Sequence, residues 1–200
     1  MARLGRVGYG EARVRERLGL ADLADLSWRA LPIYRAEQLA VRDPLASAID
    51  LFLLQGAVPA PELARLLDPA GRDVLLNSGL LVIDEQGVAR ARASLYPVGD
   101  RLIFSDHAWP LLPHPGYLDT PPDQVMYVGT DSRWLARATV RRPIHAALDL
   151  CTGSGIHALL AAPHARRVLA VDINPRAIQC TRFNLQASGM TNVEAVIGDL

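Results

Sequence analysis

The feature that most constrains the fold lies between Ala147 and Ile197, where short apolar runs alternate with helical stretches. The pattern predicts strands at Ala147 to Leu150, Arg167 to Val171 and Val193 to Ile197, separated by helices at Gly155 to Ala162 and Pro175 to Ser188. Alternation of this kind belongs to parallel βαβ units with right-handed crossovers, which makes the region α/β. Its first strand runs into Leu148-Asp149-Leu150-Cys151-Thr152-Gly153-Ser154-Gly155. Glycines at such a junction let the backbone turn sharply and let a ligand come close, because a Cβ would clash or demand a forbidden φ. The helix that follows favours an anionic group at its N-terminus.

A Gly-x-Gly dipeptide pattern alone fits a tight turn that binds nothing. The carboxylates around it add the weight. The second strand ends in Asp172, about 20 residues past the glycine turn, where a doubly wound sheet places an acid that accepts hydrogen bonds from ribose hydroxyls. The third ends in Gly198-Asp199. Taken singly, each aspartate reads as a solvated loop residue. Asp149, Asp172 and Asp199 together put three carboxylates at one edge of a sheet, beside one glycine turn.

On these residues Leu148 to Gly155 resembles motif I of class I S-adenosylmethionine-dependent methyltransferases, and Val171 to Asn174 resembles the acidic strand end that follows it. The resemblance is closest to the small methyltransferase group, which includes protein-glutamine N5-methyltransferases and rRNA guanine-N2 methyltransferases. Asp149 to Gly155, Asn174-Pro175, Asn184 and Gly198-Asp199 are particularly like the glutamine enzymes, over roughly Asp131 to Leu200. It implies a Rossmann-like sheet with S-adenosyl-L-methionine as cofactor. Cys151, Thr152, Gly153, Ser154 and Gly155 would surround the methionine part, and Asp149 would orient its amino group. Asp172 would hold the ribose diol, Ile173 would pack on the adenine, Asp199 would bind the adenine amino group and Leu200 would flank the ring. Asp131 and Ser132 stand where relatives line the mouth of the site, and either also fits an N-cap of the next helix.

The group's catalytic signature, Asn-Pro-Pro-aromatic after a fourth strand, is missing from the sequence; Pro121-Pro122 follows Thr120 and precedes the sheet. Methyl transfer is an in-line attack on a sulfonium methyl, so the protein acts mainly by positioning the reactants. Only three of the seven strands of a class I sheet are counted, with the first left as an apolar edge, a liability proteins normally cover. The expectation is the N-terminal part of a longer enzyme, inactive by itself, with no catalytic residue assigned.

Upstream, the chain is expected to carry a smaller α+β domain over 1–105 and a proline-rich linker over 106–124, with the cofactor-binding half at 125–200. Val14, Leu18, Leu20, Leu23 and Leu26 recur at mostly helical spacing, and Ala46 to Leu54 predicts a buried helix ended by Gly56. A helix at Glu62 to Leu67, a turn at Asp68 to Gly71, a helix at Arg72 to Asn77 and a hairpin from Leu80 to Ile83 and Val88 to Leu95 give a winged-helix rhythm, with Arg101 to Phe104 as a third wing strand. The linker holds Pro110, Pro113, Pro115, Pro121 and Pro122. A helix at Ser132 to Val140 leads into the sheet.

The chain of 200 residues has equal numbers of acidic and basic groups, so no global charge marks a nucleic-acid binder. Its two cysteines, Cys151 and Cys180, lie in different elements, which speaks against a disulfide framework or a zinc site. The five histidines, His107, His114, His145, His157 and His164, are scattered, and Trp28, Trp109 and Trp134 read as packing residues. No apolar run approaches a bilayer span and no leader is evident at Met1 to Gly10, so the expected address is the cytoplasm. The expected partner is a macromolecular methyl acceptor, a protein glutamine or an RNA base. Two alternatives stay open. Gly153 to Ala158 formally fits the Gly-x-Gly-x-x-Ala of a nicotinamide-dependent oxidoreductase. The winged-helix-like unit fits a nucleic-acid-binding regulator, with Arg90, Arg92 and Arg101 near its wing, although its second helix offers only Arg72 and Asp73.

Overall fold

Residues 2–108 and 121–199 are described by a computed structural model of the chain. They divide into two units, Met1–Arg101 and Leu102–Leu200. Trp109, Pro110, Pro113, His114, Pro115 and Leu200 fall outside the described residues.

The first unit begins with α1 (Ala2–Arg6) and α2 (Glu11–Leu18), which ends on Gly19 in the left-handed conformation. Short 3-10 turns at Leu23–Asp25 and Trp28–Ala30 lead into α3 (Leu31–Ile33), which widens into a π turn over Tyr34–Gln38. Next comes α4 (Pro44–Ala48), capped by the Asp43 carboxylate on the Ala46 N–H and continued by a π turn over Ile49–Leu53. Ile49, Leu51, Leu53 and Leu54 are fully buried, as the apolar run predicts.

Strand β1 (Ala57–Pro59) enters α5 (Ala60–Leu66) and α6 (Pro69–Asn77), followed by β2 (Leu81–Ile83), β3 (Val88–Ala91) and β4 (Ser94–Val98). Three expectations are corrected here. Asp68 to Gly71 is no free turn: Asp68 caps α6 by accepting from the Gly71 N–H at 2.7 Å, and Pro69 opens the helix, the position where its missing N–H costs nothing. The three-stranded antiparallel sheet runs β1-β3-β2, so its third strand is Ala57–Pro59 and not Arg101 to Phe104. The stretch from Val88 to Leu95 is also broken at Arg92 and Ala93 into two strands.

The second unit takes in most of β5 (Arg101–Ser105), then α7 (Thr130–Ala138), β6 (Ile144–Leu150), α8 (Ile156–Ala161), β7 (Ala165–Asp172), α9 (Pro175–Ala187) and β8 (Val193–Ile197). Gly129 is the N-cap of α7, with no side-chain cap bond, so neither Asp131 nor Ser132 caps that helix. Strands β6, β7 and β8 form a parallel sheet in that order, with Ala147 opposite Val168 and Ala170 opposite Ala195. That register puts Val168, Ala170 and Ala195 on one buried face, and α8 and α9 pack on these strands. The opposite face carries Leu148, 57% exposed, Leu150 and Leu169, and Leu148 and Leu169 help line a hollow of about 630 Å³. Parallel sheets are normally covered on both faces; among the described residues, this one is covered on one, and β6 is its edge.

Candidate functional site

The turn between β6 and α8 stands at the C-terminal edge of the parallel sheet and needs three left-handed residues, Cys151 (φ 54°), Gly153 (φ 55°) and Gly155 (φ 80°). At Gly155 a second reason excludes a side chain, since a Cβ would sit 2.8 Å from the Thr181 methyl. Space beside Gly153 is open, so only its backbone conformation asks for glycine. Cys151 pays the cost of the left-handed region and leaves its thiol exposed.

Two carboxylates hold this turn from either side. Asp149 accepts from the Thr152 hydroxyl at 2.6 Å and from the Ala158 N–H at 2.9 Å. The second bond takes an N–H of the first turn of α8, so the chain's own carboxylate satisfies part of the helix N-terminus that the sequence suggests for a ligand anion. Asp172 accepts from the Gly153 N–H at 2.8 Å through one oxygen and from the Asn174 N–H at 2.9 Å through the other. A carboxylate has about four acceptor positions, so two bonds leave Asp172 with capacity for two more. The Thr152 N–H donates to Val171 O, tying the turn to the adjacent strand end.

Thr152 and Ser154 are buried, so a molecule entering this turn meets backbone, Gly153 and Cys151 rather than those hydroxyls. Ile173 projects into solvent at 65% exposure, just beyond Asp172. Asp199 is exposed beyond the end of β8. Gly198 donates to Asp172 O, joining the ends of β7 and β8. The described residues of the predicted site therefore all lie at one edge of the sheet, Asp149 and Asp172 at the ends of β6 and β7 and the others in the segments that follow the strands. His157 is half-buried on α8. Among the described residues no group of three His, Cys, Asp or Glu side chains could hold a metal ion.

Thr181, which the sequence does not single out, and Asn184, which it marks only through the resemblance and without a role, support the turn from behind. Thr181, fully buried on α9, donates to Gly153 O at 3.0 Å. The Asn184 amide donates to Ser154 O at 2.8 Å and to Phe104 O at 2.7 Å, while its oxygen accepts from the Phe104 N–H. Phe104 O also accepts from the Cys180 thiol, and burial first, then the nearby Asp106 charge, pushes that thiol up to about 12. A second brace fixes the loop after β7. Asn174 caps α9 through the Arg176 N–H and donates to Asp123 O at 2.8 Å. Asp106 accepts from the Arg176 guanidinium and from the Val125 N–H. The Asp106 hydrogen bond raises the Arg176 pKa against the opposing effect of its burial.

Residues 6–92 match the family model described as DUF7059, a domain of unknown function. An uncharacterized protein of Methanocaldococcus jannaschii is 39% identical over 51 residues, 26% of this chain and 20% of its own length. A protein-L-isoaspartate O-methyltransferase of a Ruegeria species is 31% identical over 99 residues, half of this chain and 44% of its own length. The chain thus spans between a fifth and under half of these curated relatives. Among solved structures, the tRNA m1G37 methyltransferase of M. jannaschii is 16% identical, with 54% of this chain and 30% of that chain covered and a TM-score of 0.37. The similar solved structures are mostly methyltransferases, and two of them contain S-adenosylhomocysteine. No helix among the described residues is long and apolar enough to cross a membrane.

Proposed function

We propose that the second unit is the S-adenosylmethionine-binding part of a class I methyltransferase of the small methyltransferase group, with the first unit a winged-helix-like domain that docks the acceptor. The observation that carries this reading is the pair of carboxylates, Asp149 and Asp172, bonded to adjacent residues of one left-handed glycine turn. S-adenosylmethionine brings an ammonium and a sulfonium to such a turn, and fixed negative charges beside it favour a cationic ligand. Gly153 gives its backbone room, Asp172 keeps acceptor capacity for the ribose diol, and the exposed Ile173 offers an apolar face to the adenine. Asp199 would accept from the adenine amino group, with Leu200 beside the ring. Similarity to a protein-L-isoaspartate O-methyltransferase over half of the chain supports the same reading.

In the transfer itself the cofactor supplies an electrophilic methyl group. These residues bind and orient it, and Asp149 sets the turn's shape through Thr152 and Ala158 while remaining beside the ligand. The acceptor is a protein glutamine or an RNA base, and the group that grips it is not among the sequence motifs present.

The nicotinamide reading fits less well. A dinucleotide sets its pyrophosphate on the helix N-terminus, and here the Asp149 carboxylate already occupies the Ala158 N–H and would repel it. Calorimetric titration with S-adenosylhomocysteine and with NAD separates the two. Binding of the first alone is expected, weakened at least about tenfold by Asp172→Asn, which keeps the side chain's shape but removes the charge, a loss of about 1.4 kcal/mol. Binding of NAD, or of neither, would overturn the proposal.

A further inference from the structure

A neutral total hides a strongly uneven distribution of charge. From Ser132 to Val168 the sequence holds six arginines, Arg133, Arg137, Arg141, Arg142, Arg166 and Arg167, and a single acid, Asp149. That acid is engaged at the glycine turn, at the far end of β6 from the arginines. A seven-residue strand spans about 20 Å, so Arg141 and Arg142, at the start of β6, lie about that far from the candidate cofactor site.

The fold gathers four of them, Arg141, Arg142, Arg166 and Arg167, at the opposite, N-terminal edge of the parallel sheet. Ile144 pairs with Ala165 and Ala146 with Arg167, and the Ile144 N–H donates to His164 O at 2.9 Å, which brings the Arg141-Arg142 approach to β6 alongside the Arg166-Arg167 start of β7. His145, His164 and Arg166 line a cavity of about 540 Å³ at this edge. All four arginines are exposed, and among the described residues none forms an ion pair with a carboxylate. Arg141 is held by donating to Ala136 O at 2.7 Å, the C-terminal part of α7. On that helix Trp134 is 57% exposed, with the Arg137 guanidinium 5.3 Å from its ring centroid.

We propose that this edge is a docking surface for a single-stranded nucleic acid. Arginine's planar fork of donors matches phosphate oxygens, and an exposed aromatic ring beside it gives a base a face to stack on. Charge complementarity alone would also suit an acidic peptide; the exposed Trp134, with the Arg137 guanidinium against its ring on the helix that leads to this edge, favours bases. This surface goes beyond the methyltransferase reading and does not require it.

The test is fluorescence anisotropy on the full chain with a labelled single-stranded RNA and with single-stranded DNA of the same sequence, across a salt series. The variant R141Q/R142Q/R166Q/R167Q is expected to bind at least about tenfold more weakly at low salt, with the slope of log K against log salt reduced by about 3. Trp134→Ala is expected to weaken binding about fivefold and to leave the slope unchanged. A control that removes the same charge from the first unit, R6Q/R13Q/R29Q/R65Q, should bind within about twofold of the wild type, and circular dichroism checks that every variant is folded. Absence of binding by the wild type, equal losses in control and edge variants, or displacement by polyglutamate as efficient as by unlabelled RNA would each overturn the proposal. Preference for RNA over DNA identifies 2′-hydroxyl recognition within it. Homocysteine-adduct binding is read separately, so failure of the cofactor assignment leaves this result standing, and the reverse.

Discussion

The two units spend their polar interactions differently. In the first, side-chain bonds tie helices to one another around a buried charge. Asp50, only 8% exposed at its side chain, receives Arg35 at 2.9 Å and Arg42 at 3.0 Å, and Arg42 reaches on to Glu62, which also accepts from the Ser47 hydroxyl. In the second, the bonds converge on backbone groups of a strained turn and the loop beside it, while among the described residues one face of the sheet is left uncovered. A network among side chains secures a core. Bonds onto a left-handed turn secure a shape that a chain would not otherwise keep, which is what a binding loop requires.

The strongest way to break this contrast is to remove the counter-charges of Asp50. Arg35→Ala together with Arg42→Ala leaves a buried carboxylate without partners, and the expected loss is about 3 kcal/mol, at the low end for such a change because both guanidiniums are partly exposed. The loss should fall on the first unit alone. In a thermal melt followed by hydrogen exchange, protection should drop at Ile49 to Leu54 and stay unchanged at Val168 to Val171. Equal drops in both would mean that the units do not differ in what holds them.

A substitution pair sharpens the account of the second unit. Gly155→Ala meets both an unfavourable φ and the Thr181 methyl at 2.8 Å, so a cost of about 2 kcal/mol is expected. Gly153→Ala meets only the unfavourable φ, with space around it, and should cost about 1 kcal/mol. Urea denaturation of both variants measures the difference. If the two cost the same, the close approach of α9 to the turn has no energetic part in fixing it.

Much of the second unit could be read from the sequence because its strands and helices are fixed by local pattern: β8 matches its predicted bounds, and β6 and β7 are extended by a few residues at their ends. The glycine turn was legible for the same reason, since Gly153 and Gly155 sit where a strand meets a helix. Its supports were not. Asn184 bonds Ser154, 30 residues away, and Phe104, 80 residues away, and a polar residue within an amphipathic helix carries no local sign of which groups it will reach. The first unit shows the same limit. Ala57–Pro59 is too short to alternate, and it becomes a strand by pairing with Val88 to Arg90. Asp68 to Gly71 reads as a turn between two helices, yet Asp68 and Pro69 are the start of the second helix.

The smallest expected effect separates the units by pH. The Ser47 hydroxyl bond holds Glu62 below the usual glutamate range against its partial burial, with Arg42 adding to the same direction. A carboxylate whose pKa is lower in the folded state than in the unfolded one adds stability above the unfolded value, and that contribution is lost as the pH falls through the folded value. The midpoint for unfolding of the first unit should therefore decline as the pH drops below the ordinary glutamate value of about 4.3. Glu62→Gln should flatten part of that decline while lowering stability at neutral pH. Urea titrations at a series of acid pH values, read at the first unit, measure it. An unchanged acid slope in the Gln variant would show that the Arg42 and Ser47 contacts are held by geometry and contribute no net preference for the charged form, leaving Asp50 as the group around which this core is organised.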